Sequence, residues 1–265
     1  MTVFLSFART SPDSSILGSI FMLIIPAIDI RGGKCVRLFQ GVYGKETIYG
    51  EDPRAMAKRW IAEGATFLHL VDLDGARQGI PANREAILTI VEGSVVPVEV
   101  GGGIRSMAAV DDYLSRGVQR VILGTAAYAN PHFLKKACAQ WPERIAVDIA
   151  ARNGQATISG WTEETEVPAI DLAKKCEAMG AAIIIYTDVL RDGTQRGVNL
   201  HATQELARAL QIPVIASGGV AAIEDIEALR PLEKEGVMGV IIGRALYEGT
   251  LKLSEAIARA GGGGD

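Results

Sequence analysis

The sequence predicts an α/β fold, a (β/α)8 TIM barrel built from two half-barrel repeats, in one domain. Three observations carry that expectation. Short apolar runs recur eight times along the chain, the segments between them have helical spacing, and the two halves of the chain repeat each other at a nearly fixed offset. Strands that are apolar throughout and separated by helices argue for a parallel sheet covered on its outer face, and eight such units close into a barrel of about 250 residues. An open, doubly wound sheet is the alternative, because periodicity alone does not show closure.

The eight runs are Leu23 to Ile28, Phe67 to Val71, Val98 to Val100, Arg120 to Leu123, Ile145 to Val147, Ile183 to Tyr186, Pro213 to Ala216 and Val240 to Ile242. After the first, Asp52-Pro53 offers a cap and a first-turn proline to a helix whose face carries Ala55, Met56, Arg59, Trp60 and Glu63. The other helices start near Asn83, Met107, Pro131, Pro168, His201, Ala222 and Leu251. The repeat aligns Pro-Ala-Ile-Asp29-Ile with Ile-Ala-Val-Asp148-Ile, Gly-Gly-Gly103 with Ser-Gly-Gly219, and Leu-Gly124-Thr with Ile-Gly243-Arg. Asp29 and Asp148 are 119 residues apart, Gly103 and Gly219 116, and Gly124 and Gly243 119. This places the two aspartates at the ends of the first and fifth strands, which face each other across the barrel mouth. The domain is expected over 22–260. Residues 1–21 read as an extension, disordered or marking an upstream start, and 261–265 as a glycine-rich tail.

Composition narrows the function classes. Lys and Arg number 27 against 31 Asp and Glu, a net charge of −4, and no basic block resembles a nucleic-acid footprint. An anionic ligand must therefore be held locally. Cys35, Cys138 and Cys176 are far apart and sit among apolar neighbours, as free thiols do in a reducing compartment. The uncharged run from Ile16 to Ile28 resembles a signal peptide, but Gly18 and Pro26 interrupt it and its second half continues into a strand, so a cytoplasmic protein that does not meet a membrane is expected. His69, His132 and His201 are too dispersed for a zinc site.

Thirty glycines, about one residue in nine, exceed the usual ~7%. Many fall in turns that follow a strand and precede a helix. Gly102, Gly103, Gly124 and Thr125 would form one phosphate cradle from bare backbone N–H groups, and Gly218, Gly219, Gly243 and Arg244 the other. The latter pair of strands is the usual phosphate site of a barrel. Tight turns alone could explain a single glycine pair, but two symmetric pairs point to a ligand with a phosphate at each end. Asp29 and Asp148, on opposite sides of the pocket, suit general base and general acid work on one substrate. No GxGxxG turn or P-loop lysine accompanies them.

Taken together, Ile-Pro-Ala-Ile-Asp29-Ile, Val-Arg37-Leu-Phe-Gln40-Gly, His69-Leu-Val-Asp72-Leu-Asp74, Gly-Gly-Gly103-Ile-Arg105-Ser, Ser-Gly160-Trp161, Thr187-Asp188-Val-Leu-Arg-Asp192-Gly193-Thr194, Ser-Gly-Gly219-Val and Ile-Gly243-Arg244 give a chain that resembles the histidine-biosynthesis isomerases acting on phosphoribosylformimino aminoimidazole carboxamide ribotide. The resemblance covers about Met22 to Ala260. It implies an Amadori rearrangement of an aminoaldose to an aminoketose, with Asp29 as base, Asp148 as acid, Thr187 supporting the acid, and no metal or organic cofactor. It further implies that Arg105 and Trp161 engage the substrate, by charge and by stacking, and that Gln40, Asp72 and Asp192 shape the site. Asp72 and Asp192 could equally cap turns. Where the family usually reads Gln-Gly-Asp-Tyr, this chain has Gln40-Gly41-Val42-Tyr43, which removes a polar contact at position 42.

Three competing functions stay open. The sister cyclase shares the half-barrel repeat and both aspartates, but resembles Pro-Cys-Leu-Asp with a lysine after Val-Val, where this chain has Pro-Ala-Ile-Asp29 and Val36-Arg37. A bifunctional isomerase also acting on phosphoribosylanthranilate tends to carry an arginine just before the Gly-Trp pair, where Ser159 stands here, with Arg152 the nearby alternative. A non-catalytic barrel that binds a sugar phosphate is the third. A small bis-phosphate is the expected partner, bound by a monomer.

Overall fold

In the computed structural model the protein is described over residues 22–261, and the expected extension, with most of the tail, lies outside them. Twelve strands form one sheet: β1 (Leu23–Arg31), β2 (Lys34–Phe39), β3 (Val42–Gly50), β4 (Leu68–Asp72), β5 (Val98–Gly101), β6 (Arg120–Leu123), β7 (Ile145–Arg152), β8 (Gln155–Ile158), β9 (Glu163–Pro168), β10 (Ile183–Asp188), β11 (Val214–Ser217) and β12 (Val237–Ile242). Eight of these, β1, β4, β5, β6, β7, β10, β11 and β12, pair in parallel around a closed ring. Closure between β1 and β12 and between β7 and β10 decides for the TIM barrel and against the open sheet. All eight expected strands are there, and the main helices begin within two residues of the expected positions, from Pro53–Ala62 to Leu253–Ala260.

The remaining four strands are two antiparallel hairpins that the apolar pattern does not reveal. β2 and β3 fold back on the end of β1, and β8 and β9 on the end of β7, in equivalent places of the two halves. The residues of β3 and β9 are largely exposed, and β2 and β8, although partly buried, span only six and four residues, so neither hairpin leaves a clear period in the sequence. They also correct one expectation. Asp29 and Asp148 do not end their strands, because pairing with β2 and β8 carries β1 to Arg31 and β7 to Arg152.

Side chains alternate along each barrel strand. Ile24, Ile28 and Ile30 of β1 pack outward against helices, whereas Ile25 and Ala27 join Phe67, Ile122, Ala146, Ile183, Ile185, Ile215 and Ile241 in a second core inside the barrel. Following each inward column towards the carboxyl ends leads in turn to Asp29, Val71, Gly101, Gly124, Asp148, Thr187, Ser217 and Gly243. All eight line one pocket. The two-residue period of the strands therefore delivers one residue per strand to the mouth.

The half-barrel repeat extends to the loops. Asp72 accepts hydrogen bonds from the backbone N–H groups of Gly75, Ala82 and Asn83 and from Asn83 Nδ2 at 2.7–2.8 Å. In the other half Asp188 accepts from Leu190, Arg191 and Asn199 Nδ2 at 2.7–3.2 Å. The glycine pairs pack against these same loops. A Cβ at Gly102, where φ is +102°, would lie 2.2 Å from the Asp72 carbonyl oxygen, and one at Gly218 would lie 2.8 Å from that of Asp188. Gly102→Ala is expected to lose about 2–4 kcal/mol of stability by combining left-handed strain with a backbone clash. Gly32→Ala, at φ +53° in open space, should lose only about 1 kcal/mol, and urea unfolding of both variants checks the difference.

Candidate active site

Both aspartates face the pocket, but their surroundings differ. β1 turns back through β2 so that Arg37 reaches Asp29, with Nη1 2.6 Å from Oδ2. Burial works against the Arg37 charge, yet Asp29, Tyr247 and Asp192 outweigh it and hold the guanidinium above its usual range. Its carbon stands 5.5 Å from the Tyr247 ring centroid, and Tyr247 is itself fixed by donating its hydroxyl to the Ala27 carbonyl at 3.0 Å. Gly243 makes room for the arginine, since a Cβ there would fall 1.5 Å from Nη2. Arg37 has no role assigned from the sequence. The available signal was its place on a strand that returns beside Asp29.

Asp148 has no such cation. Thr187 Oγ1 donates to its Oδ1 at 2.9 Å, and burial pushes its carboxyl up to about 6 against that hydrogen bond. Asp29 as an ion-paired carboxylate and Asp148 as a carboxyl inclined to hold its proton thus stand on walls four strands apart, in either direction around the ring. That is the arrangement by which two chemically identical groups take opposite parts in proton transfer.

A third carboxyl, Asp192, lies in the loop after β10. Burial pushes it up to about 7, Arg37 opposes this, and Asp29, Asp148 and Asp188 add to the rise. Its folded pKa exceeds the unfolded value near 3.9, so the stability it contributes is complete below that value and is lost as pH rises through about 7. Asp192→Asn should therefore gain thermal stability relative to the parent between pH 5 and pH 8, by about 2–4 °C for each kcal/mol of charge burial removed. Calorimetry at the two pH values, at constant ionic strength, reads that difference.

Of the expected site residues, Gly102, Gly103, Arg105, Gly124, Thr125, Trp161, Asp192, Gly218, Gly219, Gly243 and Arg244 come together around the same pocket as Asp29, Asp148 and Thr187. Thr125 Oγ1 accepts from the Ser159 N–H at 2.8 Å, which ties the β7 to β10 connection to the first glycine cradle. Trp161 packs on Gly41, where a Cβ would meet its ring at 2.4 Å. Arg244 donates to the Gly193 carbonyl at 2.7 Å and pairs with Glu248 at 2.5 Å. Two expected residues lie elsewhere. Asp72 is completely buried with its oxygens occupied by the loop described above, so it acts as a turn cap, the alternative already recognised for it. Gln40 lines an adjoining cleft and donates to the Leu190 carbonyl at 2.8 Å, linking the loops after β2 and β10.

The family model described as "Histidine biosynthesis protein" matches residues 23–252. Proteins named 1-(5-phosphoribosyl)-5-((5-phosphoribosylamino)methylideneamino)imidazole-4-carboxamide isomerase are similar over nearly their whole length. The one from Geotalea daltonii is 53% identical over 89% of this chain and 97% of its own. That from Synechocystis sp. is 54% identical over 91% and 94%, and that from Geobacter sulfurreducens 50% identical over 92% and 100%.

Proposed function

The chain belongs to the histidine biosynthesis protein family, and from that premise we infer that it is the aldose-ketose isomerase that converts phosphoribosylformimino aminoimidazole carboxamide ribotide to its phosphoribulosyl form. The observation that carries this reading is the pair of opposed carboxyls, Asp29 held by Arg37 and Asp148 with its proton affinity raised by burial. Asp148 gives its proton to the ribose ring oxygen as the C1′–O bond breaks, leaving a protonated imine. Asp29 then removes the C2′ proton, and the electron pair of that C–H bond closes the enolamine. Protonation at C1′ and loss of the enol proton give the ketone, so substrate and product have the same composition and no electrons leave the pair.

Thr187 keeps Asp148 facing the sugar, and Arg37 holds Asp29 in place for the C2′ proton. The substrate is a small phosphorylated sugar, and the two phosphoribosyl groups in the relatives' name match the two glycine cradles at opposite sides of the pocket. Arg105 and Trp161 contact the imidazole carboxamide. As proposals, the domain spans 22–260, the protein works as a monomer, and the three buried free thiols suit the cytoplasm.

Selectivity follows from the same geometry. Phosphoribosylanthranilate would bring a carboxylate near Ser159, while Arg152 is already paired with Glu164 at 2.8 Å in the adjoining cleft. Leaving that carboxylate unpaired costs several kcal/mol, so kcat/KM should be lower by on the order of 10³-fold than for the ribotide. Parallel assays of both substrates test this, and comparable values would establish the bifunctional enzyme instead.

A further inference from the structure

The barrel interior holds one ionic chain in an otherwise apolar core. β4, β5 and β6 set His69 beside Glu99 and Glu99 beside Arg120 in direct register. Glu99 is fully buried, with Oε1 2.7 Å from His69 Nδ1 and Oε2 receiving Arg120 Nε at 2.9 Å and Nη2 at 2.6 Å. The Arg120 guanidinium covers the Phe67 ring at 4.6 Å, below the pocket. A buried ionic network of this kind is seldom more stable than apolar packing of the same volume, so its presence asks for a function.

Only His69 of the three reaches the pocket, where the floor around it is Ala27, Ile122, Ile185 and Ile241. Burial pushes the Glu99 carboxyl up, but the charge of Arg120 and the hydrogen bonds from His69 and Arg120 work against this and bring it down, so Glu99 is an ionised, purely accepting partner. His69 Nδ1 must then carry the hydrogen. Among the described residues this is the ring's one hydrogen bond, and it leaves Nε2 without a protein partner on the pocket side that His69 shares with Asp148.

We propose that Glu99 and Arg120 are positioning residues that fix His69 as the Nδ1–H tautomer and aim Nε2, as a hydrogen-bond acceptor, at a hydroxyl of the sugar phosphate bound above it. Arg120 neutralises Glu99, and Glu99 sets the ring's tautomer and tilt. The inference rests on the isomerase reading for its ligand, but the tautomer is a property of the free protein.

Long-range proton–nitrogen correlation spectra of histidine-labelled protein test it first. The expected pattern is a protonated Nδ1 and an unprotonated Nε2 for His69; an Nε2–H tautomer or an imidazolium at the assay pH overturns the proposal, whatever any variant does. Glu99→Leu should switch the tautomer and lower kcat/KM by roughly 10- to 100-fold, the effect of a mispaired buried group. Glu99→Gln keeps an acceptor oxygen and should retain the tautomer and kcat/KM within about threefold, although it lowers Tm by stranding Arg120. If both variants lose Tm while kcat/KM stays at the parent value, the network is structural and the proposal fails. If the parent itself does not turn over the ribotide, the isomerase reading fails, and the spectra still decide the His69 tautomer.

Discussion

Asp29→Asn should lower kcat by about 10²–10⁴-fold while the Kd for the ribotide stays within a few-fold, because the amide fills the same space but cannot accept the C2′ proton. On the proposed reading phosphate capture falls to the glycine turns of other strands, which the substitution does not touch. Arg37 loses its 2.6 Å partner, so a drop in Tm should accompany the loss of turnover. Comparing kcat with the Kd from calorimetric titration separates the two effects. A variant retaining more than about a tenth of the parent's kcat would exclude Asp29 as the base.

Asp148→Asn should be comparably damaging for a different reason. The amide cannot donate an acidic proton to the ring oxygen, so the loss falls on opening of the ribose ring. Its stability should move the opposite way from that of Asp29→Asn. The Asp148 carboxyl is pushed up to about 6 by burial, so its stabilising contribution is lost as pH rises through about 6, and a neutral amide removes that dependence. At pH 8 the variant should therefore be at least as stable as the parent while nearly inactive. Normal turnover would reassign the acid, and Asp192, the other raised carboxyl of the pocket, would be the next group to substitute.

The barrel was legible in the sequence because its strands are buried on both faces, so that Ile145 to Val147 or Ile183 to Tyr186 read as unbroken apolar runs. The hairpins were not, since β3 and β9 are mostly solvated and β2 and β8 are too short for a buried face to register. Short helices such as Thr125–Ala129 and Arg244–Glu248 span barely more than one turn, too few residues for a hydrophobic stripe to register. The glycine turns were visible, but their cause is in part packing, as the 2.2 Å approach of a Gly102 Cβ to Asp72 shows.

In the site, the repeat of Asp29 and Asp148 identified the two carboxyls, whereas what differentiates them depends on residues brought in by the fold. Arg37 reaches Asp29 only because β2 returns antiparallel, and Thr187 reaches Asp148 only because β10 lies beside β7. His69 carries no signal in the sequence, as an isolated histidine has no spacing to interpret; its partners Glu99 and Arg120 are 30 and 51 residues away and meet it through strand register. Asp72 shows the converse, with two readings open in the sequence. An aspartate after a barrel strand can face the pocket or cap its own loop, and only the hydrogen bonds from Gly75, Ala82 and Asn83 distinguish the two.

The measurement that bears most directly on two opposed carboxyls as an isomerase is turnover of the ribotide by purified protein in deuterated water, followed by proton NMR. The account predicts conversion to the phosphoribulosyl form with deuterium entering at C1′ of the product, because the hydrogen taken from C2′ passes through a carboxyl that exchanges with solvent. Tight binding of the ribotide with no product formed would contradict it and leave a barrel that holds a sugar phosphate without reacting it.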